Sequence, residues 1–162
     1  MLTAIALALF LSPASVSRPS HAQQVATAVQ VLSGSGPHGL TWRYSQHLDI
    51  NCDGALDEVF TAKDSARAYV AVVLGPISTA SKHSIIALRF DGGSQDVLCG
   101  PIESLTPETL STAKELREMV GQEPVGYRYS RKCRGLSLRA GECDRFHLFW
   151  NHAAGTLDWW RL

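Results

Sequence analysis

Two apolar runs without alternation, residues 69–74 (YVAVVL) and 85–88 (IIAL), set the first expectation for this chain. Strands that are apolar on both faces are covered on both faces, so these two belong in the middle of a sheet. Residues 40–47, 58–62, 68–75, 84–90, 146–151 and 156–162 are rich in β-branched and aromatic side chains and are bounded by Gly, Pro, Asn or Asp. They read as strands. One segment has helical spacing: Leu110, Ala113, Leu116 and Val120 recur on one stripe, with Thr106 able to cap, Pro107 at the first helical position and Gly121 at the end. The pattern predicts a helix over about 107–120 that covers a sheet face. The stretch 23–32 (QQVATAVQVL) fits either a second short helix or an edge strand. The expected fold class is α+β: one small domain, mainly antiparallel β-sheet, with the 107–120 helix packed on a face.

The last two strands carry the clearest register. With a turn at 152–155, Trp150 pairs with Leu157 and Leu148 with Trp159, so Phe146, Leu148, Trp150, Leu157 and Trp159 share one face. That face is core. The opposite face carries His147, Phe149 and Asn151 beside Asp158, Trp160 and Leu162. It is either a second packed layer beneath a loop or helix, the simpler reading, or an exposed binding surface around His147, Phe149 and Trp160 for a ligand or protein.

The beginning of the chain changes the compartment. Residues 3–11 form an uncharged apolar run too short to span a bilayer, followed by small residues ending at Ser20, His21 and Ala22. Residues 1–22 therefore read as a secretory signal cleaved before Gln23, although no Lys or Arg precedes the apolar run. No later segment is apolar enough for a membrane anchor, and no Cys follows the run to take a lipid. Residues 23–162 are expected to form a single exported domain, periplasmic or secreted and monomeric. Its charge is balanced: losing Arg18 leaves 14 basic against 15 acidic side chains. Nucleic acid or an anionic membrane held by bulk electrostatics is not an expected partner.

Four cysteines, Cys52, Cys99, Cys133 and Cys143, predict two disulfides in an exported chain. Three pairings exist; Cys133 and Cys143 bracket a short span with two glycines that could fold back, which leaves Cys52 with Cys99. A thiolate metal site using Cys143 and His147 is the rival, without a Cys-x-x-Cys pair to support it.

The stretch 48–60 (LDINCDGALDEVF) holds the candidate chemistry. Counting Asp49 as position 1, Asp49, Asn51, Asp53 and Asp57 fall at 1, 3, 5 and 9, Gly54 is at 6, and Ala55 at 7 can offer its carbonyl. Hard oxygen ligands at alternate positions around a glycine turn suit Ca²⁺. Position 12 is Phe60 where an EF-hand has a bidentate Glu, and a strand follows. The stretch resembles the D-x-[DN]-x-D-G-x-x-D loop of FG-GAP and integrin-type calcium repeats. That resemblance implies a Ca²⁺ loop at Asp49, Asn51, Asp53, Ala55 and Asp57, but not the propeller those repeats build, because the chain carries one such loop. Cys52 departs from the pattern. An ion-free, Asx-rich turn is the simpler alternative.

Catalytic patterns are sparse. Glu142, Asp144 and His147 lie close enough to supply an acid, a base and an orienting group, but Gly-x-Ser-x-Gly, His-Glu-x-x-His and phosphate-cradling loops are missing. His47, beside the polar loop, reads as a surface residue. The expected function is an exported, disulfide-stapled, calcium-binding, non-catalytic domain, a binding or inhibitor module for a protein or surface ligand. A small exported hydrolase using Glu142, Asp144 and His147 is the alternative.

Overall fold

The computed structural model describes residues 18–93 and 95–162. Residues 1–17, most of the expected signal segment, lie outside the described residues. The elements run α1 (His21–Ser35), β1 (Arg43–Leu48), β2 (Asp57–Lys63), β3 (Arg67–Val73), β4 (His83–Arg89), β5 (Ile102–Thr109), α2 (Ala113–Val120), β6 (Arg134–Ala140), β7 (Phe146–Asn151) and β8 (Thr156–Trp160). The strands form two antiparallel four-stranded sheets, β1-β2-β3-β4 and β5-β6-β7-β8, each in chain order. The α+β expectation holds: among the described residues, two sheets share the strands and there are two helices instead of one.

Alternation decides what each face meets. Val59, Val70, Val72 and Leu88 of the first sheet pack against Leu105, Leu136, Leu138, Phe146, Leu148 and Trp150 of the second, which makes the central core. The outer face of the first sheet presents Phe60, Tyr69, Ala71 and Val73 to Ala28 and Leu32 of α1. The outer face of the second sheet carries Phe149, covered by Leu116 of α2 with Tyr127 and Cys133. The layers are therefore helix, sheet, sheet, helix, and β3 is buried from Ala68 to Val73 because both its faces are covered. The seams between the sheets are bridged by side chains: Gln46 Nε2 donates to the Leu105 carbonyl at 2.8 Å, and Leu157 N donates to Ser84 Oγ at 2.8 Å.

The C-terminal hairpin has the expected register, Leu148 opposite Trp159 and Trp150 opposite Leu157. Phe149 is 2% exposed, so the face behind it is a packed layer and Phe149 is not part of an exposed binding surface. The ambiguous 23–32 stretch is helical, within α1.

Three expectations need correction. The second helix begins at Ala113, not 107, because Thr112 with Glu115 forms the capping box: Glu115 N donates to Thr112 Oγ1 and Thr112 N donates to the Glu115 carboxylate. Thr106 and Pro107 lie in β5, a sheet edge, where a proline without an N–H is tolerated. Gly121 does end the helix, in the left-handed conformation at φ 79°.

Residues 134–140 form β6 where a return loop was expected, and that overturns the cysteine pairing. An extended seven-residue strand separates its two ends by about 20 Å, far beyond the roughly 7 Å reach of a disulfide. Cys133 therefore cannot bond Cys143. Cys52 pairs with Cys133 and Cys99 with Cys143, with Cα separations of 5.1 and 5.7 Å. Two disulfides are characteristic of oxidising compartments. Among the described residues, no helix is long and apolar enough to cross a membrane.

Candidate functional site

The β1–β2 hairpin positions the first two groups. Leu48 faces Asp57, so one step further out His47 faces Glu58 across the ladder. Cross-strand partners share a face, here the outer face that also carries Phe60 and lies under α1. Glu58 thus sits at an otherwise apolar helix–sheet interface and is 0% exposed.

The third group comes from the first turn of α1. Ser20 caps this helix: its Oγ accepts from Gln23 N at 3.3 Å, and Gln23 Oε1 accepts from Ser20 N at 2.7 Å. Locking the first turn brings His21 over the end of the sheet. His21 Nε2 lies 3.2 and 3.3 Å from the two Glu58 carboxylate oxygens, and His47 Nδ1 lies 2.9 Å from Oε1. The imidazoles meet edge to face at 4.8 Å, with the Tyr44 ring 5.3 Å from His21. One ligating atom from each of His21, His47 and Glu58 lies within 4.8 Å of the other two, a grouping that can hold a metal ion.

Electrostatics makes the same demand. A fully buried carboxylate is costly unless compensated, and the side-chain partners of Glu58 are the two imidazoles. Each imidazole can offer this carboxylate a hydrogen bond, and a cation held among the three groups would balance its charge. Burial and the negative charge of Glu58 hold the Tyr44 hydroxyl above its usual value.

The expected calcium ligands occupy the loop between β1 and β2 and the first residue of β2, and the side chains of Asp49, Asn51 and Asp53 bond within the loop itself. Asn51 Oδ1 accepts from Asp53 N, Asp53 Oδ1 from Ala55 N, and Asp49 Oδ2 from Gly54 N, at 2.8–3.0 Å. Cys52 and Gly54 take positive φ, 65° and 87°, to make the turn. Asp57 is buried and accepts from Ile50 N at 2.9 Å and Gly75 N at 3.0 Å. Burial pushes its carboxyl up to about 6, the two N–H donors oppose that shift, and the charges of Asp53 and Asp49 add to it. Asp49 Oδ1 is buried with no hydrogen-bond partner. Among the described residues, Asp49, Asp53 and Asp57 do not converge as His21, His47 and Glu58 do.

Glu142, Asp144 and His147 do share a cavity, of about 370 Å³, with Arg139 and Arg145. The partner of His147 is nevertheless Glu108 from β5: both carboxylate oxygens lie 2.9–3.0 Å from Nδ1, and the ring stacks on Trp160 at 3.9 Å. The oxygens of Glu108 therefore favour a proton on Nδ1. Cys143, which also lines the cavity, is tied up in its disulfide. His147 and Trp160 remain partly exposed at the edge of the packed layer.

Four of these residues were assigned other roles from the sequence. His21 fell inside the expected signal segment, His47 read as surface, Glu58 as an ordinary strand residue, and Glu108 as part of a helix. Counting outward from a loop at 49–56 pairs His47 with Glu58, so two of the three residues of the metal grouping had a sequence signal; His21 and Glu108 had none.

No protein-family model matches the chain, and no curated protein and no solved structure matches it. What the fold and site define is a disulfide-stapled α+β domain with a histidine–glutamate grouping able to take a metal ion.

Proposed function

We propose that this chain is an exported, non-catalytic binding domain whose signal is cut ahead of Ser20 and not before Gln23, so that the Ser20 cap and His21 stay on the mature chain, and that it holds a divalent metal ion at His21, His47 and Glu58. The observation that carries this is the fully buried Glu58 carboxylate whose side-chain partners are two imidazoles brought from separate elements. The two disulfides support export. The site joins α1, β1 and β2 at a helix–sheet junction, the placement of an ion that organises a surface. Calorimetric titration of the oxidised protein, with His21 retained, tests it: one divalent ion should bind, and Glu58→Gln, which keeps the shape and removes the charge, should abolish most of the affinity. Equal affinity in Glu58→Gln would place any bound ion elsewhere and end the proposal.

A second reading keeps calcium at the 49–57 loop. It is favoured by the buried, unpartnered Asp49 Oδ1 and by the mutual repulsion of Asp49, Asp53 and Asp57, which a cation would relieve. Extracellular calcium modules bind at about 10⁻⁴ to 10⁻³ M. Millimolar Ca²⁺ should then raise the melting temperature of the wild type and do so much less in Asp53→Ala. A calcium response that survives in Asp53→Ala returns the loop to an ion-free turn.

A further inference from the structure

We infer that the ion at His21, His47 and Glu58 is a d-block dication of the zinc class, and that one outside Lewis base, water at rest, completes its coordination sphere. The inference rests on the metal reading above and adds the identity of the ion and the ligand it can accept.

The donor set selects the class. Two imidazole nitrogens and one carboxylate suit zinc and its neighbours, whereas Ca²⁺ takes six to eight oxygens and Mg²⁺ near-octahedral oxygen ligation. Spacing agrees. Bonds of about 2.0–2.1 Å in a tetrahedral sphere place ligand atoms about 3.3 Å apart. The imidazole nitrogens lie 2.9–3.3 Å from the Glu58 oxygens and all three ligand atoms lie within 4.8 Å of one another, so the adjustment that admits the ion falls on the two imidazoles.

Exposure decides that the sphere is open. The Glu58 side chain is 0% exposed, His47 30% and His21 50%, so protein encloses an ion from the carboxylate side and water reaches it from the imidazole side. Among the described residues the grouping contains three ligands, and a closed structural zinc site has four. Three protein ligands with an accessible fourth position is the arrangement that exchanges ligands. The second shell points the same way: neither His21 Nδ1 nor His47 Nε2 has a protein hydrogen-bond partner among the described residues. Tightly held sites usually anchor that second nitrogen on a carboxylate or carbonyl. The domain therefore presents its metal to an incoming donor, a small anion or the imidazole or carboxylate of another molecule.

Cobalt(II) provides the test, because its visible bands and their induced dichroism report coordination inside a chiral protein site. Oxidised full-length protein with His21 retained is titrated with Co²⁺, Zn²⁺ and Ca²⁺, then the cobalt form with thiocyanate. Co²⁺ and Zn²⁺ should bind one per chain, Ca²⁺ should not compete, and thiocyanate should shift the bands saturably while the dichroism persists. His47→Ala should weaken Co²⁺ by more than about 10-fold, the lower end of what losing even a supporting group costs; His38→Ala, outside the site, should not. Cobalt binding with bands indifferent to thiocyanate, or bands that shift with complete loss of dichroism as the ion is stripped out, overturns the open sphere and leaves the metal reading standing. Failure of Co²⁺ and Zn²⁺ to bind at all overturns both.

Discussion

Cys52, in the loop between β1 and β2, is bonded to Cys133 at the entrance to β6, so a covalent tie crosses from one sheet of the sandwich to the other. Beside it, Arg134 N donates to the Asp49 carbonyl at 3.0 Å. The bond closes 81 residues and Cys133 is buried against the Phe149 layer, while Cys99–Cys143 closes 44. Loop-closure entropy gives at most about 4.5 kcal/mol for the longer closure and about 4 kcal/mol for the shorter, with realised values of about 2–4. Replacing Cys52 and Cys133 by Ala should lower stability by about that amount and by more than replacing Cys99 and Cys143, since it also loosens a packed layer. Denaturant midpoints of the two double variants would decide; equal loss would show that burial of Cys133 adds nothing.

His21 belongs to a helix with little strength of its own. Val25, Thr27, Val29 and Val31 are β-branched, and there is no acidic residue in the first turn or basic residue in the last. Its apolar hold, through Ala28 and Leu32, lies toward the C-terminal half. Nearer its start, the partly buried Val25 and the His21–Glu58 contact hold the helix down. A chain beginning at Gln23 loses both the Ser20 cap and His21. It should bind Zn²⁺ more than about 10-fold more weakly than one beginning at Pro19, and residues 23–27 should exchange amide hydrogen faster. Undiminished zinc affinity in the shorter chain would remove His21 from the site.

Asp57 closes the polar loop onto the sandwich by accepting from Ile50 N and Gly75 N. Asp57→Ala leaves two N–H groups without that acceptor, at about 1–3 kcal/mol for each one that stays buried and unpaired. Thermal melting should show a loss of at least about 2 kcal/mol, on the same scale, present with or without metal. A near-neutral change would mean that water replaces the carboxylate.

His152 gives the domain a pH dependence of known sign. Partial burial, and then the positive charge of Arg128, hold its imidazole below the usual value. Just below pH 6.5 the unfolded chain binds a proton that the folded chain refuses, so the contribution of this group is full above about 6.5 and is lost as pH falls through the folded value. An NMR titration should find the His152 midpoint below that of a free imidazole, and His152→Gln should flatten this part of the stability profile. A midpoint at or above the free value would contradict the burial.

Much of the sandwich was legible because burial on two faces leaves unbroken apolar runs, as in β3, and because the short turn at 152–155 fixes the register of β7 on β8. The helix start misled because Thr106-Pro107 imitates a start that Thr112 and Glu115 make; a local signal was outcompeted by a stronger one six residues on. Strand β6 was hidden by treating its flanking cysteines as partners, and connectivity depends on which ends the fold brings together. The candidate site divides in the same way. His47 and Glu58 meet through hairpin register, a short-range property, whereas His21 arrives by the docking of a helix over a sheet and left no trace in spacing.

The seams bridged by Gln46 and Ser84 bear on how the protein behaves in crowded company. An open strand edge is a template on which another chain can add a strand and start a fibril. Here Gln46 of β1 reaches the Leu105 carbonyl of β5, and Ser84 of β4 receives the Leu157 N–H of β8, so the edge strands β5 and β8 each spend one backbone group on a side chain of the facing edge strand. A register irregularity in β1, and another in β5 together with Pro107, break the remaining edges into stretches poorly shaped for templating. An added strand at β5 or β8 is thereby hindered at the Leu105 carbonyl and the Leu157 N–H, and replacing Gln46 or Ser84 by Ala should make cross-β growth in concentrated solution easier.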